Sequence, residues 1–209
     1  QALDGLGITT QTVHPEAGDV LPDVQQVAGA IITGSWSMVT DRADWSERTA
    51  AWVRDMVAAD RALLGVCYGH QLMAHALGGM VDYHPLGREV GCHQVVLAAA
   101  AKNDDFFADM PAQFGAYLTH EQSVLVPPPG ATVLARSDHD AHQILRYGPK
   151  ALSMQFHPEF TAQLMAACIR RRAELLTSEG RDVAAMLSGI GPTVQSRHLL
   201  HAFVALAAG

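Results

Sequence analysis

Leu63 to Gly79 reads LLGVCYGHQLMAHALGG, an apolar run that passes through Gly65-Val66-Cys67-Tyr68-Gly69 into a segment of helical periodicity stopped by Gly78-Gly79. A strand that becomes a helix within one residue strains the backbone at the turn and leaves room only for small neighbours, which the glycines at 65 and 69 provide. The turn sets the sulfur of Cys67 at a helix N-terminus, where the dipole favours thiolate. This is a nucleophile elbow with cysteine in place of serine. In this segment alone, an ordinary buried cysteine at a strand end would read the same way.

A thiolate nucleophile needs a group to shuttle its proton, and that group needs an orienting partner. Ser153 to Phe160 reads SMQFHPEF and offers both. His157 ends an apolar strand, and Glu159 follows across a proline that fixes the local turn. Each also has a plain reading, a satisfied strand-end histidine and an acid at a helix start. It is the pairing with Cys67 that favours chemistry.

The rest of the chain reads as alternating strands and helices. Val27 to Thr33 is a short apolar run entering the tight loop at Gly34-Ser35, and Trp45 to Ala59 has helical spacing with Asp44 or Ser46 as its cap. Ala62 to Val66 and Gln71 to Leu77 repeat the strand and helix. Ile8 to Val13 looks strand-like, with Gln1 to Leu6 as the tail of a preceding helix. After Gly79, short strands are expected at Glu89–Ala98, Gly115–Thr119, Thr132–Arg136, Ala141–Arg146 and Ala151–Phe156, partly antiparallel. Helices follow from Thr161 onward. The run Arg170-Arg171-Arg172 reads as a solvated helix face or as compensation of a helix C-terminus rather than an anion site.

Charge and length narrow the function classes. The 209 residues carry 14 Lys plus Arg against 21 Asp plus Glu, a net charge of −7, so the overall field repels phosphate backbones and nucleic acid is not an expected partner. Half of the chain is hydrophobic, at 49%, yet its longest apolar stretch, Val95 to Ala101, is far below the roughly 20 residues of a membrane span. A cytoplasmic location without membrane contact is the expectation. The three cysteines, Cys67, Cys92 and Cys168, do not form a disulfide or metal pattern, and Cys92 and Cys168 read as packing residues. The 11 histidines include His70 with His75, His139 with His142 and His198 with His201, but none has zinc-site spacing with a carboxylate, and no phosphate-binding glycine motif occurs. Neither a metal nor a cofactor is expected.

GVCYGHQLMAHALGG and MQFHPEF together resemble the two signature blocks of the class I glutamine amidotransferases, the Cys-His-Glu triad family. Ile31 to Val39 (IITGSWSMV) resembles that family's oxyanion loop, and Thr119 to Val124 (THEQSV) its glutamine-binding segment. Within the family the chain is most similar to free-standing members like the glutaminase part of GMP synthase. The resemblance implies an α/β, flavodoxin-like three-layer sandwich, with a mixed, mostly parallel central sheet and C-terminal helices. It implies one domain over 1–209, with a catalytic core over about 1–169 lacking its first strand and a helical extension over about 170–209.

By the same resemblance Cys67 attacks the glutamine side-chain amide, His157 protonates the departing ammonia and Glu159 holds His157. Backbone N–H groups of Tyr68 and of the Gly34-Ser35 loop form the oxyanion hole. Gln71 contacts the small-molecule substrate, glutamine or another γ-glutamyl compound, while the His120 to Val124 segment, Ser123 and Val124 included, presents backbone groups to its α-amino and α-carboxylate ends, and ammonia passes to an acceptor protein. Two departures stand out. Gly-Ser-Trp replaces the commoner Gly-Gly-Pro in the oxyanion loop, and Gln122 falls where an acid is frequent. They leave open a γ-glutamyl hydrolase or peptidase with the same triad, or a non-catalytic relative.

Overall fold

The structure is a computed structural model and describes Leu3 and residues 6–208. At its centre lies β2 (Ala62–Val66), every residue of which is buried. It pairs in parallel with β1 (Gly29–Ile32) on one side and β9 (Ala151–Met154) on the other. Beyond β9 the sheet continues through β8 (Ile144–Arg146), β7 (Thr132–Arg136), β4 (Glu89–Leu97) and β5 (Gln113–His120), each joined antiparallel to its neighbour. The result is a mixed seven-stranded sheet.

Alternation along β2 decides which helices cover which face. Leu63 packs with Val53 and Met56 of α1 (Asp44–Ala58) and with Leu72 and Met73 of α2 (Tyr68–Ala76). Leu64 points the other way, into a cluster with Leu152 and with Leu199, Leu200 and Phe203 of α6 (Val194–Ala208). Helix, sheet and helix thus form the three expected layers. Three further helices, α3 (Ala162–Arg171), α4 (Ala173–Ser178) and α5 (Val183–Ser188), gather against β4 and β5 through Met165, Ile169 and Leu176, which pack with Val90 and Tyr117. A separate antiparallel pair, β3 (Met80–Tyr83) with β6 (Gln122–Val126), stands beside the sheet.

Several local expectations change. Ile8–Val13 forms no strand, and the nearest regular element is a short 3-10 turn at Pro15–Ala17. Strands persist only when paired, and this segment is largely exposed without a neighbour. Of the helix tail proposed for Gln1 to Leu6, residues 1, 2, 4 and 5 lie outside the described residues. Neither Asp44 nor Ser46 caps α1: its N-cap is Ala43, Asp44 is the first helical residue, and Ser46 is buried with its hydroxyl 2.5 Å from that of Tyr68. The second helix begins at Tyr68, earlier than the periodicity indicated, because nothing separates it from β2 except Cys67. β3 was not anticipated, since its largely exposed residues show no alternation.

Gly69 carries the closest approach of the fold. A Cβ there would lie 2.1 Å from the carbonyl oxygen of Ile32 and 2.9 Å from its Cβ. Gly69→Ala is therefore expected to lower stability in urea unfolding by about 1–3 kcal/mol or more through backbone displacement. Gly148→Ala, where a Cβ meets nothing within 4 Å, should stay within about 0.5 kcal/mol of wild type.

Candidate active site

Cys67 is the single residue between β2 and α2, with φ 52° and ψ −102°, a conformation side chains rarely adopt. Its N–H donates to Met154 O at 2.9 Å, and its carbonyl accepts from Gln71 N at 3.1 Å, so both sides of the strained residue are fastened. Gly65 is required as well: a Cβ there would meet Gly69 O at 2.5 Å and Met73 Sδ at 2.7 Å. The sulfur therefore stands at the start of α2, whose first N–H groups have no partner within the helix.

The segment carrying His157 arrives on the strand next door. Past β9, the N–H of His157 donates to Tyr117 O at 2.9 Å, which fixes the segment on β5. His157 Nδ1 lies 2.8 Å from Glu159 Oε1, and the Phe160 ring stacks on the imidazole with centroids 4.0 Å apart. A carboxylate only accepts, so Nδ1 carries a proton toward Glu159 and Nε2 is the nitrogen left for chemistry. Nε2 is buried and has no hydrogen-bond partner of normal geometry. Gly34 reports how closely the parts converge: a Cβ at Gly34 would lie 2.9 Å from His157 Cε1 and 3.7 Å from Cys67 Cβ.

The electrostatics follow from this convergence. Burial alone would push the Cys67 thiol up, but the charge of His157, reinforced by His120, more than offsets it and holds the thiol below its ordinary value. Burial pulls His157 down, and the neighbouring Cys67 thiolate and Glu159 carboxylate raise it above the ordinary imidazole value. Each group thus favours the charged form of the other.

His120 supplies a second buried imidazolium. Its Nε2 lies 3.0 Å from Glu89 Oε2 and its Nδ1 2.9 Å from the carbonyl of Gln122, so both nitrogens meet acceptors. Glu89 is held in turn by Ser137 Oγ at 2.8 Å and Gln143 Nε2 at 2.9 Å. Burial opposes both charges, and their contact reverses it, raising His120 and lowering Glu89. Glu89 was not singled out from the sequence, where an isolated Glu at a strand start gives no signal.

The cleft above Cys67 is lined by Ser35, Trp36, Ser37 and Met38 on one lip and by Thr119 to Gln122 on the other, with Tyr68, Gln71, Arg88, Val90 and Arg172 between. Ser35 and Tyr68 thus line the cleft with Cys67, and Gly34 lies close to Cys67 and His157. Of the expected substrate contacts, Gln71 and His120 line the cleft, whereas Ser123 and Val124 do not. Val124 packs with Ala74 and Leu145, and Ser123 reaches His120 Nδ1 at 3.3 Å. The amide nitrogen of Gln71 is committed to Gln122 O at 2.6 Å and Gln155 Oε1 at 3.1 Å. A larger cavity of about 740 Å3 lies elsewhere, between the 99–110 segment and α6, and has no cysteine in its lining.

Comparison with known proteins places a fold of this topology in a family. The family model described as "Glutamine amidotransferase class-I" matches residues 2–173. The chain belongs to the class I glutamine amidotransferases. Among curated relatives of this amidotransferase is gamma-glutamyl peptidase 5 of Arabidopsis thaliana, 27% identical over 75% of this chain and 63% of that protein. Another is GMP synthase of Aeropyrum pernix, 29% identical over 74% of this chain and 28% of that protein. The chain thus spans less than two thirds of either relative. A solved glutamine amido transferase from Methylobacillus flagellatus shares the fold, with a TM-score of 0.79 at 24% identity over 99% of this chain and 85% of that one. Among the described residues no helix is long and apolar enough to cross a membrane.

The depressed thiol has a kinetic consequence. Alkylation of Cys67 by iodoacetamide should reach half its maximal rate at a pH below the ordinary cysteine value of about 8.5, the thiolate being the reactive form, and should exceed labelling of Cys92 and Cys168 at neutral pH. His157→Ala removes the charge that offsets burial and should move that midpoint upward. Mass-spectrometric labelling rates across pH check both, and equal rates at all three cysteines would contradict the electrostatics.

Proposed function

We infer that this amidotransferase cleaves the γ-glutamyl C–N bond of glutamine through a Cys67 thioester and passes the ammonia to an acceptor on another chain. The observation that carries the reading is a cysteine at a strained elbow, its thiol held below the ordinary value by a neighbouring histidine whose Nδ1 lies 2.8 Å from a carboxylate.

Each step follows from these groups. Cys67 Sγ attacks the γ-carbonyl carbon, a C–S bond forms, and the carbonyl electrons move onto oxygen. Backbone N–H groups of Tyr68 and the Gly34-Ser35 loop receive that oxyanion, each such donor being worth roughly 3 kcal/mol in a transition state. As the tetrahedral centre collapses, the C–N bond breaks and His157 Nε2 gives its proton to the departing nitrogen. Water then adds to the thioester, surrendering a proton to His157. The C–S bond breaks and releases glutamate and the thiolate. Glu159 keeps the imidazole in one orientation throughout. The similarity to GMP synthases supports an acceptor-bearing partner.

A second reading keeps these steps and exchanges the leaving group: a γ-glutamyl peptidase, releasing an amine in place of ammonia. Trp36, where the family's commoner version of the loop has proline, supports it by setting a large aromatic at the lip, as does the similarity to gamma-glutamyl peptidase 5.

Cys67→Ala should abolish turnover, whereas His157→Asn and Glu159→Gln should lower kcat by about 10²- to 10⁴-fold with thermal melting preserved. Glutamate release, followed by an enzyme-coupled assay, checks this, and undiminished turnover by the Cys67 variant would remove the mechanism. Comparing kcat/KM for glutamine with that for γ-glutamyl amines separates the two readings: a large preference for glutamine supports the first, and a preference for amines the second.

A further inference from the structure

Two arginines reach the cleft, and they are in different electrostatic states. Arg88 is spent: its guanidinium pairs with Glu121 and with Glu179 Oε1, the latter at 2.7 Å. Arg172, the C-cap of α3, is not. Among the described residues its guanidinium makes no hydrogen bond or ion pair, and its Nη1 is buried without a partner. Its guanidinium instead lies over Trp36, 4.5 Å from the ring centroid, with Arg171 at 4.9 Å from the same ring.

This differs from the sequence expectation for the Arg170–Arg172 run. Arg170 and Arg171 are exposed in the last turn of α3, as a solvated, dipole-compensating pair should be, while Arg172 turns inward to the cleft. A buried guanidinium nitrogen with no acceptor is costly. Burial is the largest influence on Arg172, lowering its pKa; Cys168 and Glu121 favour the cation, while Arg88 and Arg171 oppose it. Since Glu121 is already engaged by Arg88, the cleft carries positive charge at a guanidinium donor still unsatisfied. Trp36 holds that guanidinium by cation–π contact. A planar fork fixed in this way suits a carboxylate better than any neutral group.

We propose that Arg172 is the carboxylate-binding residue of this cleft, receiving a carboxylate of the γ-glutamyl substrate while the scissile bond lies at Cys67. The inference rests on the reading that Cys67 acts on γ-glutamyl compounds. Such compounds offer two carboxylates, the α-carboxylate of the glutamyl unit and, in a γ-glutamyl amino acid, the carboxylate of the leaving group. Arg172 selects for one of them.

The test uses γ-glutamylglycine, γ-glutamyl methylamide, which lacks the leaving-group carboxylate, and the α-amide of each, which lacks the glutamyl one. Arg172→Met keeps the stem against Trp36 and removes the charge, and Arg172→Lys keeps the charge without the fork. If the leaving group is read, the wild-type preference in kcat/KM for γ-glutamylglycine over γ-glutamyl methylamide should fall about 10- to 100-fold in Arg172→Met, as for loss of a hydrogen-bonded charge, and partly return in Arg172→Lys. If the α-carboxylate is read, the preference over the α-amides should collapse instead. Unchanged ratios for both pairs in folded Arg172→Met overturn the proposal while leaving the Cys67 mechanism standing. A calorimetric arm separates the two failures, measuring γ-glutamylglycine binding to Cys67→Ser with and without Arg172→Met. Binding that depends on Arg172, in a protein whose wild type cleaves nothing, keeps the inference and removes the catalytic reading. Absent or Arg172-independent binding overturns the inference.

Discussion

The positive φ of Cys67 is the constraint to which most of this architecture answers. One residue must end a buried strand, begin a helix and point its sulfur outward, and its conformation persists only because its neighbours hold it. Met154 O receives its N–H, Gly65 and Gly69 leave no side chain in the way, and Ile32 O occupies the space that a Cβ on Gly69 would need. β1, β2 and β9 must therefore lie in parallel at their observed register, since each contributes a contact to the same turn. The antiparallel half of the sheet extends this frame and delivers Tyr117, which fastens the His157 segment.

The charges of the site are arranged in two pairs, one buried and one part-buried, that share one thiol. His157 with Glu159 lies on one side and His120 with Glu89 on the other, and both imidazoles favour the thiolate. Taking so many ionisable groups out of water is costly unless each is paired and hydrogen-bonded. Ser137 and Gln143, which touch only Glu89 within this group, show how far the satisfaction of one carboxylate reaches. They stand outside the cleft yet support its field.

What the sequence revealed and what it hid differ in kind. The elbow was legible because sterics at Gly65, Cys67 and Gly69 are local, and a strand followed by a helix leaves a recognisable pattern. The pairing of His157 with Glu159 was legible for the same reason, being two residues apart. Glu89 and Arg172 were not, because Glu89 meets His120 only across paired strands and Arg172 reaches the cleft only after α3 has folded back over it. A run of three arginines cannot announce that its third member turns inward. Ile8–Val13 failed for a related reason: its β-like composition could not show that no strand would lie beside it.

The two lips of the cleft are built unequally. Gln71, on the helix that begins at the nucleophile, spends its amide on Gln122 and Gln155, so α2, the β6 edge and the stretch leading to His157 are tied into one body. Any alteration of that lip is transmitted to the sulfur itself. The opposite lip is tied to that body at its far end, where Val39 N–H donates to Gln122 Oε1 at 3.1 Å, whereas its tip, exposed Trp36, rests against Arg171 and Arg172. New substrate preferences can arise there by exchange of one or two side chains while the chemistry stays intact, so a single scaffold can diversify at its rim and remain invariant at its centre.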